Sequence, residues 1–550
     1  MKPRFKPINP TSQPTIIGLV CLFILIASFI RALQELSAGN WDADADYLMY
    51  MSDQWLRGNP PWIREFDDKL PLTNTLFLIP ALLSSIRIFQ LESALLILLG
   101  AGSLALVFRR IAYPYWTISI SNARAFSLVA GSIFAYSLVF IGSSLTSINP
   151  PSASLFTLGM LLVWRPYDNA IRKQDKRALI WLVAAAFLVA IAISIRPYLL
   201  VAGCLVVPWY HIRKLEDSET TGKSIQTASC LWILLLLSAL LVVNAGPYLI
   251  SGSSDAFISG IKILSQRLIP SSQAEMLKRQ IRDVLTLPNL VFISFGSVII
   301  IGPLYNVTRS SGSHLLSRKH WTIKTDIAFI LLSPLTIELM ILKKHYYPHY
   351  LQLFVPFACL AFGLLLLIVN ESLQIEARTK SRFALPLITM AVLLALTRAD
   401  IYTAADALIQ RPLDWRTAEY ASISQDKAML ARLKQGFIYP ESMSLHWKLG
   451  QSRHGFPNTY STQLISEGAW RELDMPTYFD LPISSDQYCQ RLIAKGPPTI
   501  ITKSEWIRDC LKADKSGKYK KIPGVNHALI DLAARVEKRQ PYTLDFYQRH

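Results

Sequence analysis

Charge is scarce in this chain of 550 residues. Only 17% of them are Asp, Glu, Lys or Arg, against 51% hydrophobic, and the mean hydropathy is positive. A string of soluble domains would need more polar surface, so that class is excluded. Acids are scarcer than bases, 38 against 56, which leaves a net charge of +18. In a soluble protein this would point to nucleic acid. Here the bases gather in short segments between apolar runs, so no nucleic-acid partner is expected. Cysteine is rare too: Cys21, Cys204, Cys230 and Cys359 lie within apolar runs, Cys489 and Cys510 in a polar tail. None has metal-ligand spacing, and the last two can form a disulfide only outside the cytoplasm. The chain has no internal repeat, glycine-rich phosphate loop or low-complexity linker.

What the chain does have is apolar runs long enough to cross a bilayer, which takes about 20 helical residues. The first, residues 14–32, follows Lys2, Arg4 and Lys6 without a small-residue cleavage site and reads as a retained span. Others are expected over 92–108, 122–143, 148–164, 178–194, 197–211, 227–250, 288–305, 325–342, 350–370 and 383–398. Arg109/Arg110, Arg172/Lys173, Arg213/Lys214, Arg318/Lys319 and Arg378/Lys380 fall in alternate loops, which fixes the N-terminus inside. Residues 72–90 contain Pro80, Arg87 and Gln90 and read as an interfacial helix, since a full span there would move every later basic loop outside. About eleven spans then leave everything after Asp400 on the outer face.

Residues 400–550 carry 21 Lys and Arg against 17 acids, so most of the charge surplus belongs to the membrane part. Strand-like runs at 436–439 and 499–502 alternate with helical ones at 485–494 and 526–536, the pattern of a small mixed α/β domain. The expected fold is therefore an α-helical polytopic membrane protein with a small C-terminal mixed α/β soluble domain. Its transmembrane domain is 1–399, with 34–91 as the first outer loop, and its extracytoplasmic domain is 400–550. The sequon at Asn306 falls on the inner face and is read as chance.

The first outer loop is crowded. Residues 41–71 carry Asp42, Asp44 and Asp46, then Asp67, Asp68 and Lys69. An apolar stripe of Leu48, Met51, Trp55 and Leu56 opposite Asp46, Asp53 and Arg57 suits a helix lying on a membrane surface. Cations gather on the same face, where positive-inside bias predicts few: Arg196 at a tight turn, Lys262 to Arg282, and Lys343, Lys344 and His345 followed by His349 and Tyr350, with Glu338 just before. Phosphate oxygens call for Arg and Lys donors, and a carboxylate can take the proton of an attacking hydroxyl. Together they describe glycosyl transfer from a phosphate-linked sugar. Each residue also has a plainer reading. Aspartates at a helix start cap it, Arg196 and the lysines snorkel, His349 and Tyr350 form an aromatic belt, Glu338 pairs with a cation, and the loop cations meet anionic lipid.

Asp44-Ala45-Asp46-Tyr47, Gly58 with Pro60-Pro61, the run from Phe66 to Pro71, and His349-Tyr350 before Pro356 resemble, in order and topology, the membrane-embedded GT-C glycosyltransferases. The nearest group is that of the protein O-mannosyltransferases and the lipid A aminoarabinose transferase. The resemblance covers about residues 10–400. It implies inverting transfer of a sugar from a polyprenyl-phosphate donor to a glycan, lipid or protein acceptor at the outer face of a bacterial plasma membrane. No obligatory cofactor is implied, and a divalent cation is left open. The family's base falls on Asp44, with Asp46 and Asp42 two residues to either side and Asp67 as a further acid. Ala45 stands where many relatives have a second acid, and Lys69-Leu70-Pro71 where the family has Lys-Pro-Pro. Lys69 is the expected donor-phosphate ligand, assisted by Arg196, Lys343, Lys344, His345, His349 and Tyr350.

Two other classes compete. A flippase for lipid-linked sugars would also need spans and outer cations, but it should show repeats and polar residues near the midplane. A sensor would explain the tail and leave the crowded first loop unexplained.

Overall fold

The computed structural model describes residues 13–38, 43–58, 60–62, 69–83, 86–112, 120–140, 148–173, 176–215, 222–266, 316–342, 348–364, 427–435, 437–438, 485–502, 505–522 and 545–550, with isolated positions at 277–278, 281–282, 366, 391, 398 and 402. The chain divides into two compact units. One joins Met1–Ala32, Glu92–Val242 and Ile269–Ala405; the other joins Leu33–Leu91, Val243–Leu268 and Asp406–His550.

The first unit is helical. Its elements are α1 (Gln13–Ala38), most of α4 (Ile86–Ala112), α5 (Ile120–Phe140), α6 (Asn149–Lys173), α7 (Lys176–Ile195), α8 (Leu200–Leu215), most of α9 (Gly222–Ile250) and α11 (Leu316–Leu342). Among the described residues two helices, Ile88–Ala112 and Gln226–Ile250, are long and apolar enough to cross a membrane. The spans expected over 14–32, 122–143, 148–164, 178–194, 197–211 and 325–342 are helical in α1, α5, α6, α7, α8 and α11. That over 288–305 lies outside the described residues, as does that over 383–398 apart from the isolated positions 391 and 398.

Small residues let these helices approach closely, as packing without water between helices requires. A Cβ at Gly131 would come within 2.5 Å of the Ala101 carbonyl, and one at Gly159 within 2.5 Å of the Val189 side chain. Two indole N–H groups in the packed interior find partners. Trp232 Nε1 donates to the Gly203 carbonyl at 2.9 Å, and Trp209 Nε1 donates to buried Asp326 at 2.8 Å while its ring stacks on Phe329, centroids 4.1 Å apart.

The second unit holds α2 (Ala43–Leu56), a 3-10 turn over Pro71–Phe77, α3 (Leu78–Leu82), α10 (Ser254–Gln266) and the C-terminal elements. Two expectations are corrected here. Residues 72–90 do not make one interfacial helix, because the 3-10 turn passes into α3, which stops at Leu82, and residues 86–90 already belong to α4. Nor is α2 a half-exposed helix. Tyr47 to Gln54 are all buried, polar Ser52, Asp53 and Gln54 included. The polar groups are satisfied within the protein: Ser52 Oγ donates to the carbonyl of Leu48 or Asn74, each at 2.7 Å, and Arg57 grips Asp53 through Nε at 2.9 Å and Nη2 at 3.1 Å.

The tail folds as α12 (Lys427–Lys434), β1 (Phe437–Ile438), α13 (Ser485–Lys495), β2 (Thr499–Thr502), α14 (Glu505–Lys512), β3 (Tyr519–Lys521) and β4 (Asp545–Arg549). The sheet order is β1-β2-β4-β3, with β1 parallel to β2 and the other pairs antiparallel. All four residues of β2 are buried, so both faces of this central strand are covered. Cys489 on α13 is bonded to Cys510 on α14, with Cα atoms 5.7 Å apart. Buried Asp545 is held by Arg508 at 2.9 Å and Lys521 at 2.6 Å. The helical run expected over 526–536 lies outside the described residues.

Candidate functional site

Arg196 is built into the helical unit by its neighbours in sequence. The apolar helix α7 ends at Ile195, and Pro197 disfavours helical backbone at the residue before it. Arg196 accordingly turns extended, φ −138° and ψ 95°, before a 3-10 turn leads into α8. Its amide still closes the last turn of α7 on the Ala192 carbonyl at 3.0 Å.

The guanidinium is turned inward, with only 7% of the residue exposed. Nε donates to Oδ1 of Asn149, the first residue of α6. The other end of that carboxamide, Nδ2, donates to the His349 carbonyl at 2.7 Å. The guanidinium carbon lies 5.1 Å from the centroid of the Tyr350 ring, and the Tyr198 ring stands 5.2 Å from the same ring, tilted by 51°. His349 meets Tyr350 edge-on at 4.9 Å. Two residues on, Gln352 Nε2 donates to the Leu138 carbonyl at 2.9 Å and fixes the segment to α5. Thus the start of α6, the end of α7 and the turn over 348–354 are tied around one buried cation. Among the described residues no carboxylate pairs with it. Taking a charge out of water is costly, and one neutral hydrogen bond with an aromatic face compensates only in part. An arginine so placed is disposed to accept an anion through its remaining N–H groups, in the bidentate manner that suits phosphate.

Of the residues expected to assist Lys69, the structure brings Arg196, His349 and Tyr350 together. Lys343, Lys344 and His345 lie outside the described residues. Asn149 was not singled out from the sequence. Its signal is faint: a lone amide before Pro150-Pro151, where two prolines are tolerated in a first helical turn.

The acids belong to the other unit. Asp44 and Asp46 lie in the first turn of α2, where unpaired amides and the helix dipole favour carboxylates. Their side chains, together with Asp42, Asp67 and Asp68, lie outside the described residues. Lys69 is half-buried and adjoins Leu70, which packs on the core containing Trp62, Tyr488, Leu492 and Ile500. Among the described residues no group of three or more His, Cys, Asp or Glu is assembled that could hold a metal ion.

The fold so defined is a mostly helical chain with, among the described residues, two helices of membrane-crossing length and composition and a small C-terminal α/β region. No protein-family model matches the sequence, and no curated protein does. Among solved structures the chain is similar to a crystal structure of the oligosaccharyltransferase of Archaeoglobus fulgidus in complex with zinc and sulfate. The TM-score is 0.46 and the identity 12%, over 90% of this chain and 70% of that one. The same archaeal protein in its apo form gives 0.46 and 12% over 88% and 69%.

Proposed function

We propose that this protein is a membrane-embedded glycosyltransferase of the GT-C type, moving a sugar from a polyprenyl-phosphate donor to a glycan, lipid or protein acceptor on the outer face of a bacterial plasma membrane. The observation that carries the reading is buried Arg196, held by Asn149 and the Tyr350 ring, which calls for an anionic ligand. The motif order from Asp44 to Tyr350 supplies the reaction class, and the Cys489–Cys510 bond supports a tail outside the reducing cytoplasm.

In this reading Asp44 takes the proton of the acceptor hydroxyl as its oxygen forms a bond to the anomeric carbon. The bond from that carbon to the phosphate oxygen breaks on the opposite face, and the lipid phosphate leaves with the electron pair. Arg196 and Lys69 neutralise the charge that gathers on it. Configuration at the sugar is inverted because attack and departure occur on opposite faces. Asp46 and Asp67 are the other acids available to orient the acceptor or a cation.

The test is mass spectrometry of lipid-linked sugars and surface glycans in cells with and without the protein. Accumulation of one polyprenyl-phosphate sugar, with loss of the same sugar from an envelope acceptor, is expected. An unchanged profile of both sinks the proposal.

A further inference from the structure

Trp62 is the one described non-glycine residue with a left-handed backbone, φ 67°, and it is fully buried. A bulky side chain tolerates that conformation only where its surroundings hold it. Those surroundings come from three distant parts of the chain. From the end of α9, Tyr248 donates its hydroxyl to the Pro61 carbonyl and sets its ring 6.4 Å from that of Trp62. From α10, Phe257 lies 5.9 Å away, and Gly260 is pressed so closely on the indole that a Cβ there would stand 2.2 Å from Cε3. From the tail, Tyr488, Leu492, Ile500, Ile507, Cys510, Leu511, Tyr519 and Tyr547 share one core with Trp62, and Leu70 and Cys489 pack against it. Both halves of the disulfide therefore belong to the core that receives Trp62 and Leu70. Those two positions fix the first loop shortly before, and immediately after, Lys69.

We propose that Trp62 is a positioning residue: seated against Gly260 in a core that the Cys489–Cys510 bond staples shut, it fixes the loop so that Lys69, next to Leu70 in that same core, keeps its place for the donor phosphate. The inference rests on the role given to Lys69 above. It makes the tail part of the donor site's framework, and it makes that framework depend on an oxidising compartment.

The experiment uses the full-length protein in nanodiscs, with hydrogen exchange followed by mass spectrometry and with undecaprenyl phosphate as the binding probe. Gly260→Ala forces the indole aside. Exchange in peptides covering 60–62 and 69–73 should rise about tenfold, while peptides from α6 and α7 stay unchanged. Affinity for the probe should fall about as far as it does in Lys69→Ala, and the double variant should be no worse than either single one, because both act through one contact. Dithiothreitol on the unsubstituted protein should reproduce the Gly260→Ala pattern without any substitution. Unchanged exchange at 69–73 in Gly260→Ala and after reduction overturns the inference while leaving the glycosyltransferase reading intact. Faster exchange with unaltered probe binding also overturns it, and normal probe binding by Lys69→Ala overturns the Lys69 assignment separately.

Discussion

Arg196 and Asp44 carry opposite halves of the proposed chemistry, and each can be altered without changing much volume. Arg196→Lys keeps the positive charge but loses the planar fork and the Nε contact to Asn149. A charge-assisted contact of this kind is worth about 1.5–3 kcal/mol. Affinity for undecaprenyl phosphate, measured by native mass spectrometry or tryptophan quenching, should therefore fall by roughly tenfold to a hundredfold. Binding equal to the unsubstituted protein would remove Arg196 from the donor site. Asp44→Asn keeps the shape and removes the basicity. Transfer should slow by about 10² to 10⁴ with donor binding retained, since general-base catalysis contributes on that scale. Full transfer activity in this variant, with loss in Asp46→Asn or Asp67→Asn, would move the base to another acid of the same loop.

The tail sheet shows how one residue's burial sets the pH response of an element. Tyr519, at the start of β3, donates its hydroxyl to the Pro497 carbonyl at 2.8 Å. Burial pushes its phenol up to about 12 from an ordinary 10, partly offset by Arg549, whose guanidinium sits 6.0 Å from the ring. The folded tail thus holds this proton more tightly than the unfolded chain does. Unfolding becomes easier as pH rises from about 10, where the unfolded phenol begins to ionise, to about 12. Thermal unfolding of the tail, followed by near-ultraviolet circular dichroism, should show Tm falling over that window. Tyr519→Phe should start from a somewhat lower Tm and flatten the fall. An equally steep fall in that variant would assign the titration to another group, Tyr547 being the next, since burial raises its phenol as well.

For the whole molecule, the decisive question is the side on which the tail lies. We propose, from the alternating basic loops and the odd number of spans expected from the sequence, that the N-terminus lies inside and His550 outside. A reporter that matures only in the cytoplasm, fused after His550, should be silent, and one that requires export should be active. Labelling with a membrane-impermeant maleimide should detect Cys489 and Cys510 only after reduction, since the folded protein joins them. Strong cytoplasmic signal from the fusion would overturn the topology and, with it, the compartment that the disulfide requires.

Hydropathy and charge along the chain were enough to show a helical chain with apolar runs of bilayer length, because both are local properties summed over about 20 residues. The α/β character of the tail was equally legible, down to the strand at Thr499–Thr502, since short runs of β-branched residues carry their own signal. Arg196 could be named for its setting next to a proline between two apolar runs. What surrounds it could not, because Asn149, Arg196 and Tyr350 stand far apart in sequence and only the packing of α6, α7 and the 348–354 turn brings them together. The same holds for α2. Its periodicity predicted one wet face, yet Asp53 on that face is buried and gripped by Arg57, while Ser52 on the apolar side reaches the Asn74 carbonyl 22 residues away. Trp62 reads as one more aromatic in a polar loop; its left-handed backbone and its seat between Gly260 and the disulfide-linked helices come from contacts across nearly the whole chain, which no local pattern encodes.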